Sequence, residues 1–190
     1  MPRVAEPRFE ITDRDGAFEV RRYPGRVIAE TRVHGAWSAA GNEGFRRLAG
    51  YIFGKNRGRA KVAMTAPVGQ RPATIAMTAP VGQRRDADDW LVTFTMPAGE
   101  TLATLPVPDD ARVTLREVPP SEVAVAIFSG RWTAANLARH EAALRAWATA
   151  RGLALLGEPE VNRYDPPFTL WFRRRNEIWF ALATADAATA

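Results

Sequence analysis

Gly35-Ala36-Trp37-Ser38-Ala39-Ala40 and Gly130-Arg131-Trp132-Thr133-Ala134-Ala135 share the pattern G-x-W-[ST]-A-A, 95 residues apart in a chain of 190. Each copy follows a strand-like apolar run, residues 27–33 in one case and 123–129 in the other. Each leads into a stretch of helical composition, residues 39–53 and 134–151. Ser38 and Thr133 stand where an N-cap hydroxyl would accept from free N–H groups of the first turn. Neither has Glu or Gln three residues on, so neither builds a full capping box. One match could arise by chance. Two in the same strand–cap–helix setting predict two related halves, about residues 17–97 and 111–183.

Working outward, each predicted helix is followed by further strands. Residues 61–68 and 74–81 alternate, with Val62, Met64, Ala66 and Val68 on one face and Ile75, Met77, Ala79 and Val81 on the equivalent face. Gly69-Gln70-Arg71-Pro72-Ala73 between them has the length of a hairpin linker. Residues 90–96, 112–118, 160–164 and 176–183 read as further strands. Pro67 and Pro80 belong at strand ends or edges, because proline cannot donate to a ladder. The expected fold is α+β: strand–helix–strand–strand twice over, pairing antiparallel with two helices against the sheet. A single domain over residues 1–180 and a frayed tail at 184–190 complete the outline.

Composition narrows the function. The chain is 46% hydrophobic and 25% charged, with 26 Lys+Arg against 21 Asp+Glu, two His and no Cys. Lacking cysteine, it has no disulfide, thiolate metal site, iron–sulfur cluster or cysteine nucleophile. Only Lys55 and Lys61 are lysines, and only Arg173-Arg174-Arg175 forms a cationic run. Scattered arginines describe a solvated surface, whereas nucleic-acid binding needs clustering on one face. The apolar runs at 123–128 and 178–183 fall far short of the ~20 residues that span a bilayer. With no apolar signal core in residues 1–15, the expected location is the cytoplasm.

The nine-residue repeat A-M-T-A-P-V-G-Q-R at 63–71 and 76–84 offers Met64 and Met77 as thioether donors to a soft metal or a tetrapyrrole iron, with paired core strands as the favoured reading. His140 falls on the stripe Leu137, His140, Leu144, Trp147, which predicts a partly buried ring; the chemical alternative is an axial ligand or a base. No G-x-S-x-G elbow and no G-x-x-x-x-G-K-[ST] loop is present, so no enzymatic activity is expected. The first helix carries Gly41, Gly44, Ala49 and Gly50, which calls either for close packing on the sheet or for a flat ligand over the helix. Residues 164–172, YDPPFTLWF, form a proline-bent aromatic loop running into the three arginines. Rings that stack beside guanidinium groups suit a planar, apolar ligand with carboxylates; they also suit a protein interface.

Phe18-Glu19-Val20-Arg21-Arg22-Tyr23, Gly44-Phe45-Arg46-Arg47-Leu48-Ala49-Gly50-Tyr51-Ile52, Met64-Thr65-Ala66-Pro67-Val68, Tyr164-Asp165-Pro166-Pro167 and Arg174-Arg175-Asn176-Glu177-Ile178-Trp179 occur in this order. The ordered set, over about residues 8–180, resembles the SOUL heme-binding family. That resemblance implies a duplicated βαββ unit forming a distorted antiparallel barrel or sheet with two helices. It implies reversible, non-covalent binding of heme or another tetrapyrrole, without a strong axial ligand, in a carrier or buffer role. The implied groove lies between the first helix and the YDPP loop. The matching helix positions are Asn42, Phe45, Ala49 and Gly50, where the family's basic and thioether side chains are absent. On the loop Tyr164 is kept, a contact lysine has no counterpart, and Phe168 and Trp171 supply rings. Where some members place an axial His before the first Tyr, this chain has Arg22. Arg46, Arg173 and Arg174 are the candidate carboxylate partners. The fold is also similar to effector-binding domains of gyrase-inhibitor-like, drug-sensing regulators. There Glu177 would receive a cationic or aromatic molecule if unpaired, although pairing with a neighbouring arginine is the favoured reading. A protein-interaction module using the aromatic loop is a third reading.

Overall fold

The structure is a computed structural model, and it describes residues 5–72, 89–165 and 168–183. The expected strand at 74–81 with Met77, the second copy of the nine-residue repeat, Pro166-Pro167 and the tail lie outside the described residues.

Nine strands of the described residues form one sheet. In chain order they are β1 (Glu10–Asp15), β2 (Phe18–Tyr23), β3 (Arg26–His34), β4 (Val68–Pro72), β5 (Asp89–Thr95), β6 (Val113–Val118), β7 (Ser121–Phe128), β8 (Leu155–Arg163) and β9 (Asn176–Leu182). Helix α1 (Trp37–Ile52) follows β3, and α2 (Ala134–Ala150) follows β7. Across the sheet the order is β1-β2-β7-β9-β8-β4-β5-β3-β6, with every pairing antiparallel. The α+β expectation therefore holds, as a distorted open sheet and not a closed barrel. Both β3-α1-β4-β5 and β7-α2-β8-β9 run strand–helix–strand–strand. Gly35 and Gly130, opening the two copies of the tryptophan motif, share a positive φ of 121° and 120°.

Alternation along the strands explains why both helices lie on one face. Val27, Ala29, Val92 and Phe94 pack under Leu48, Tyr51 and Ile52 of α1. Ala124, Ala126, Phe128, Ile178 and Phe180 pack under Leu144, Trp147 and Ala148 of α2. The intervening residues Val123, Val125 and Trp179 point the other way and form a third cluster with Tyr23. The glycine-rich α1 answers to packing. A Cβ at Gly44 would lie 2.4 Å from Val92 Cγ2, and one at Gly41 would lie 2.6 Å from Gln70 Oε1.

Three local expectations fail. Thr133 caps α2, accepting from the Asn136 N–H at 3.2 Å. Ser38 does not cap α1, which starts earlier, with Ala36 at the cap and the Ala40 N–H bonded to its carbonyl. The supposed hairpin linker at 69–73 is mostly strand, since β4 spans Val68–Pro72 and pairs with both β5 and β8. Of residues 61–68, read as strand, only Val68 lies in one, and 61–67 carry an isolated bridge from Thr65 to Ala5. The Ala66–Pro67 peptide is cis.

Candidate functional site

Helix α1 buries Ala40, Gly41, Gly44, Leu48, Tyr51 and Ile52, leaving Asn42, Phe45 and Arg46 exposed and Ala49 and Gly50 half-buried. Phe45 keeps 41% of its surface in solvent while meeting Phe94 edge-on, with centroids 5.4 Å apart. Arg46 pairs with Glu43 at 2.7 Å. With Gly50 it lines a surface cleft of about 160 Å³ shared with Pro108, Asp110 and Arg112. No described residue of the 164–173 loop lines that cleft.

On the loop, Phe168, Leu170, Trp171 and Phe172 are all exposed, Trp171 by 48%. Residues 171–173 form one turn of 3-10 helix, with the Trp171 carbonyl accepting from the Gly130 N–H at 3.0 Å. Arg131 lies 5.7 Å from the Trp171 ring and Arg173 6.0 Å from that of Phe172. Arg174 donates through Nε to the Thr169 carbonyl at 2.7 Å.

Tyr164 faces away from both helices. The two-residue period of β8 carries it onto the open face, against the cluster of Tyr23, Val123, Val125 and Trp179. Its hydroxyl donates to Glu177 Oε2 at 2.7 Å, and Arg175 lies 4.0 Å over its ring. Burial, followed by the charge of Glu177, drives its hydroxyl well above the usual phenol range.

The neighbour that does face the helices is Arg163, which stands just outside the Tyr164-Asp165-Pro166-Pro167 motif. Its guanidinium rests 3.4 Å from the Trp132 ring centroid and 5.3 Å from that of Trp37. Those two indoles, one from each motif copy, stack with centroids 5.3 Å apart and planes inclined by 16°. The Trp132 Nε1–H donates to Asn176 Oδ1 at 2.5 Å, and the Trp90 Nε1–H to the Gly35 carbonyl at 2.9 Å, fixing the surroundings of the stack. Burial, and then the nearby Arg174, push Arg163 down to about 10. Arg163 pairs with no carboxylate among the described residues. Alternation back from Tyr164 was the signal in the sequence, because adjacent strand residues must point to opposite faces.

Glu177 is fully buried. Its Oε1 accepts from Arg21 Nη2 at 3.0 Å and from Arg175 Nε and Nη2 at 2.9 and 2.7 Å. Its Oε2 accepts from Arg21 Nη1 at 2.9 Å, and from Tyr164 and the Trp179 Nε1–H, each at 2.7 Å. Arg21 also holds Glu19 at 2.6 Å, and Arg175 holds Glu6 at 3.0 Å. Burial alone would raise the Glu177 carboxyl; hydrogen bonding and charge from Arg21, with help from Arg175, hold it below the ordinary glutamate value. The carboxylate is spent on this network, so the drug-sensing alternative loses its unpaired acceptor.

Met64 packs half-buried on the α1 core. His140 stacks on Phe128 with centroids 4.2 Å apart, and burial followed by Arg139 lowers its basicity. Among the described residues no group of His, Asp or Glu side chains is placed to hold a metal ion, and no helix is long and apolar enough to cross a membrane.

Comparison with known proteins matches this arrangement of strands and motifs. A mouse protein named heme-binding protein 2 is 36% identical over 69 residues, 36% of this chain and 33% of its own length. Among solved structures, the C-terminal domain of EcmrR superposes with a TM-score of 0.63 at 12% identity, covering 88% of this chain and 97% of that one. A Listeria innocua protein described as a hydrolase superposes at 0.59 and 12% identity, covering 87% and 91%. At such identity these structures speak to the fold alone. The profile of the SOUL heme-binding proteins matches residues 4–181, nearly the whole length, and the chain belongs to that family.

Proposed function

We propose that this protein binds heme reversibly and non-covalently, as a carrier or buffer, on the helix side of the sheet between α1 and the 168–174 loop. Family membership supports the ligand class. The observation that carries the location is Arg163, a largely desolvated guanidinium laid on the paired indoles of Trp37 and Trp132 with no carboxylate paired to it among the described residues. A heme propionate supplies that carboxylate, and Arg174 adds to the positive potential there. Phe45 of α1 and Trp171 and Phe172 of the loop offer exposed rings to the macrocycle faces. Asn42 and Ala49 flank Phe45 on the helix. Arg46 and Gly50 edge the neighbouring cleft, and Arg173 and Phe168 stand at the solvent rim. Bound iron would bring redox and ligand-exchange chemistry; on this reading the protein supplies apolar contact and propionate pairing without a strong axial ligand.

Hemin titration, followed by the Soret band and tryptophan quenching, tests the reading. The wild type is expected to change both signals, and Arg163→Gln to bind about tenfold more weakly. The dimethyl ester of protoporphyrin IX, lacking free carboxylates, is expected to bind wild type and Arg163→Gln alike. A wild type that alters neither signal overturns the proposal.

A further inference from the structure

The open face of the sheet holds a second, chemically different cleft, of about 300 Å³, where β8 meets β4. Arg26, Arg71, Thr93, Glu160, Asn162 and Trp179 are among its lining residues. Asn162 is 1% exposed, yet neither its Nδ2 nor its Oδ1 has a hydrogen-bond partner among the described residues. Buried amides are almost always satisfied, so one orphaned at both ends asks for a function. It sits between Gly69 of β4 and Glu177 of β9 in the strand pairing. Gly69 has no room for a side chain: a Cβ there would lie 2.5 Å from both Glu160 Oε1 and Thr93 Oγ1. The cleft is not short of cations. Arg116 pairs with Glu30 at 3.2 Å and Arg71 approaches Glu160 at 3.9 Å. Arg26 donates to Ser121 Oγ at 3.2 Å and feels the charge of Glu160, but forms no direct ion pair with a carboxylate among the described residues.

We propose that this cleft is a binding site for a small molecule that presents a lactam or primary-amide edge together with a carboxylate. The amide edge answers Asn162 at both ends, its carbonyl accepting from Nδ2 and its N–H donating to Oδ1. The carboxylate answers Arg26. Trp179, whose Nε1–H is already committed to Glu177, contributes ring surface. The site lies on the face opposite the proposed heme surface and does not depend on it.

Pyroglutamate, which carries both groups, is the probe, with 2-pyrrolidinone (lactam only) and cyclopentanecarboxylate (acid only) as its halves. Calorimetric titration, with the Asn162 side-chain amide followed by NMR, is expected to show pyroglutamate binding at least about tenfold more tightly than either half. Asn162→Leu is expected to lose that binding by a similar factor while its melting temperature stays level or rises, because an unsatisfied buried amide has been removed. Should Asn162→Leu not fold, Arg26→Gln tests the other end and is expected to reduce pyroglutamate to the affinity of 2-pyrrolidinone. Absence of pyroglutamate binding to the wild type, or unchanged binding to either folded variant, overturns the proposal. Hemin binding by Asn162→Leu is expected to equal that of the wild type, which separates failure of this site from failure of the other.

Discussion

Glu177 holds together side chains from three parts of the chain: Arg21 on β2, Tyr164 beyond the end of β8, and Arg175 ahead of its own strand. Removing one partner from such a buried network strands the rest without compensation. Glu177→Gln is expected to lose about 3–5 kcal/mol at neutral pH, measured by urea unfolding. The sign with pH follows from the depressed carboxyl. Its stabilisation is complete above the unfolded-state value of about 4.3 and drains away as pH falls through the lower folded-state value. The wild type is therefore expected to lose stability steeply below that unfolded value, and Glu177→Gln to show a flatter acid limb. The same residues mark the limit of motif reading. Tyr164 was legible as a landmark, but its direction depends on strand parity. Arg163, one residue earlier, is carried to the opposite face. The pairing of Glu177 with Arg21 spans 156 positions, beyond the reach of any local pattern.

Among the elements, α1 shows how packing overrides propensity. Gly44→Ala gains up to about 1 kcal/mol of helix propensity. It also drives a methyl into Val92, and overpacking of this kind costs about 1–3 kcal/mol. Equilibrium unfolding is expected to show net destabilisation, whereas the pair Gly44→Ala, Val92→Ala should recover part of it. A Gly44→Ala variant more stable than wild type would mean that the helix can lift from the sheet. The helix and strand pattern was readable because alternation and helical composition are local. Bounds were close for β3, β5, β6, β7, β9 and both helices. β4 was missed because Val68-Gly69-Gln70-Arg71-Pro72 has turn composition, and it is strand only through the ladders on either side. Ser38 was misplaced because the same motif starts α1 two residues earlier, relative to its tryptophan, than it starts α2.

At the scale of the whole molecule, leading strands are exchanged. β2 precedes β3 in the chain but pairs with β7, while β6 precedes β7 but pairs with β3. Neither strand–helix–strand–strand segment keeps its sheet edge without the other, so the two should unfold together. Variants retaining only Trp90, on β5, or only Trp147, on α2, are expected to report one shared denaturation midpoint, coincident with far-UV circular dichroism. Separate midpoints would show that the segments are independent. The exchange also bears on synthesis. The β1–β2 hairpin leaves the ribosome about 100 residues ahead of β7, an interval of about 5–20 s at typical elongation rates. Throughout that interval Val20 and the charged pair Glu19 and Arg21 must remain in water, and one edge of β2 stays open to any strand that reaches it before β7 does.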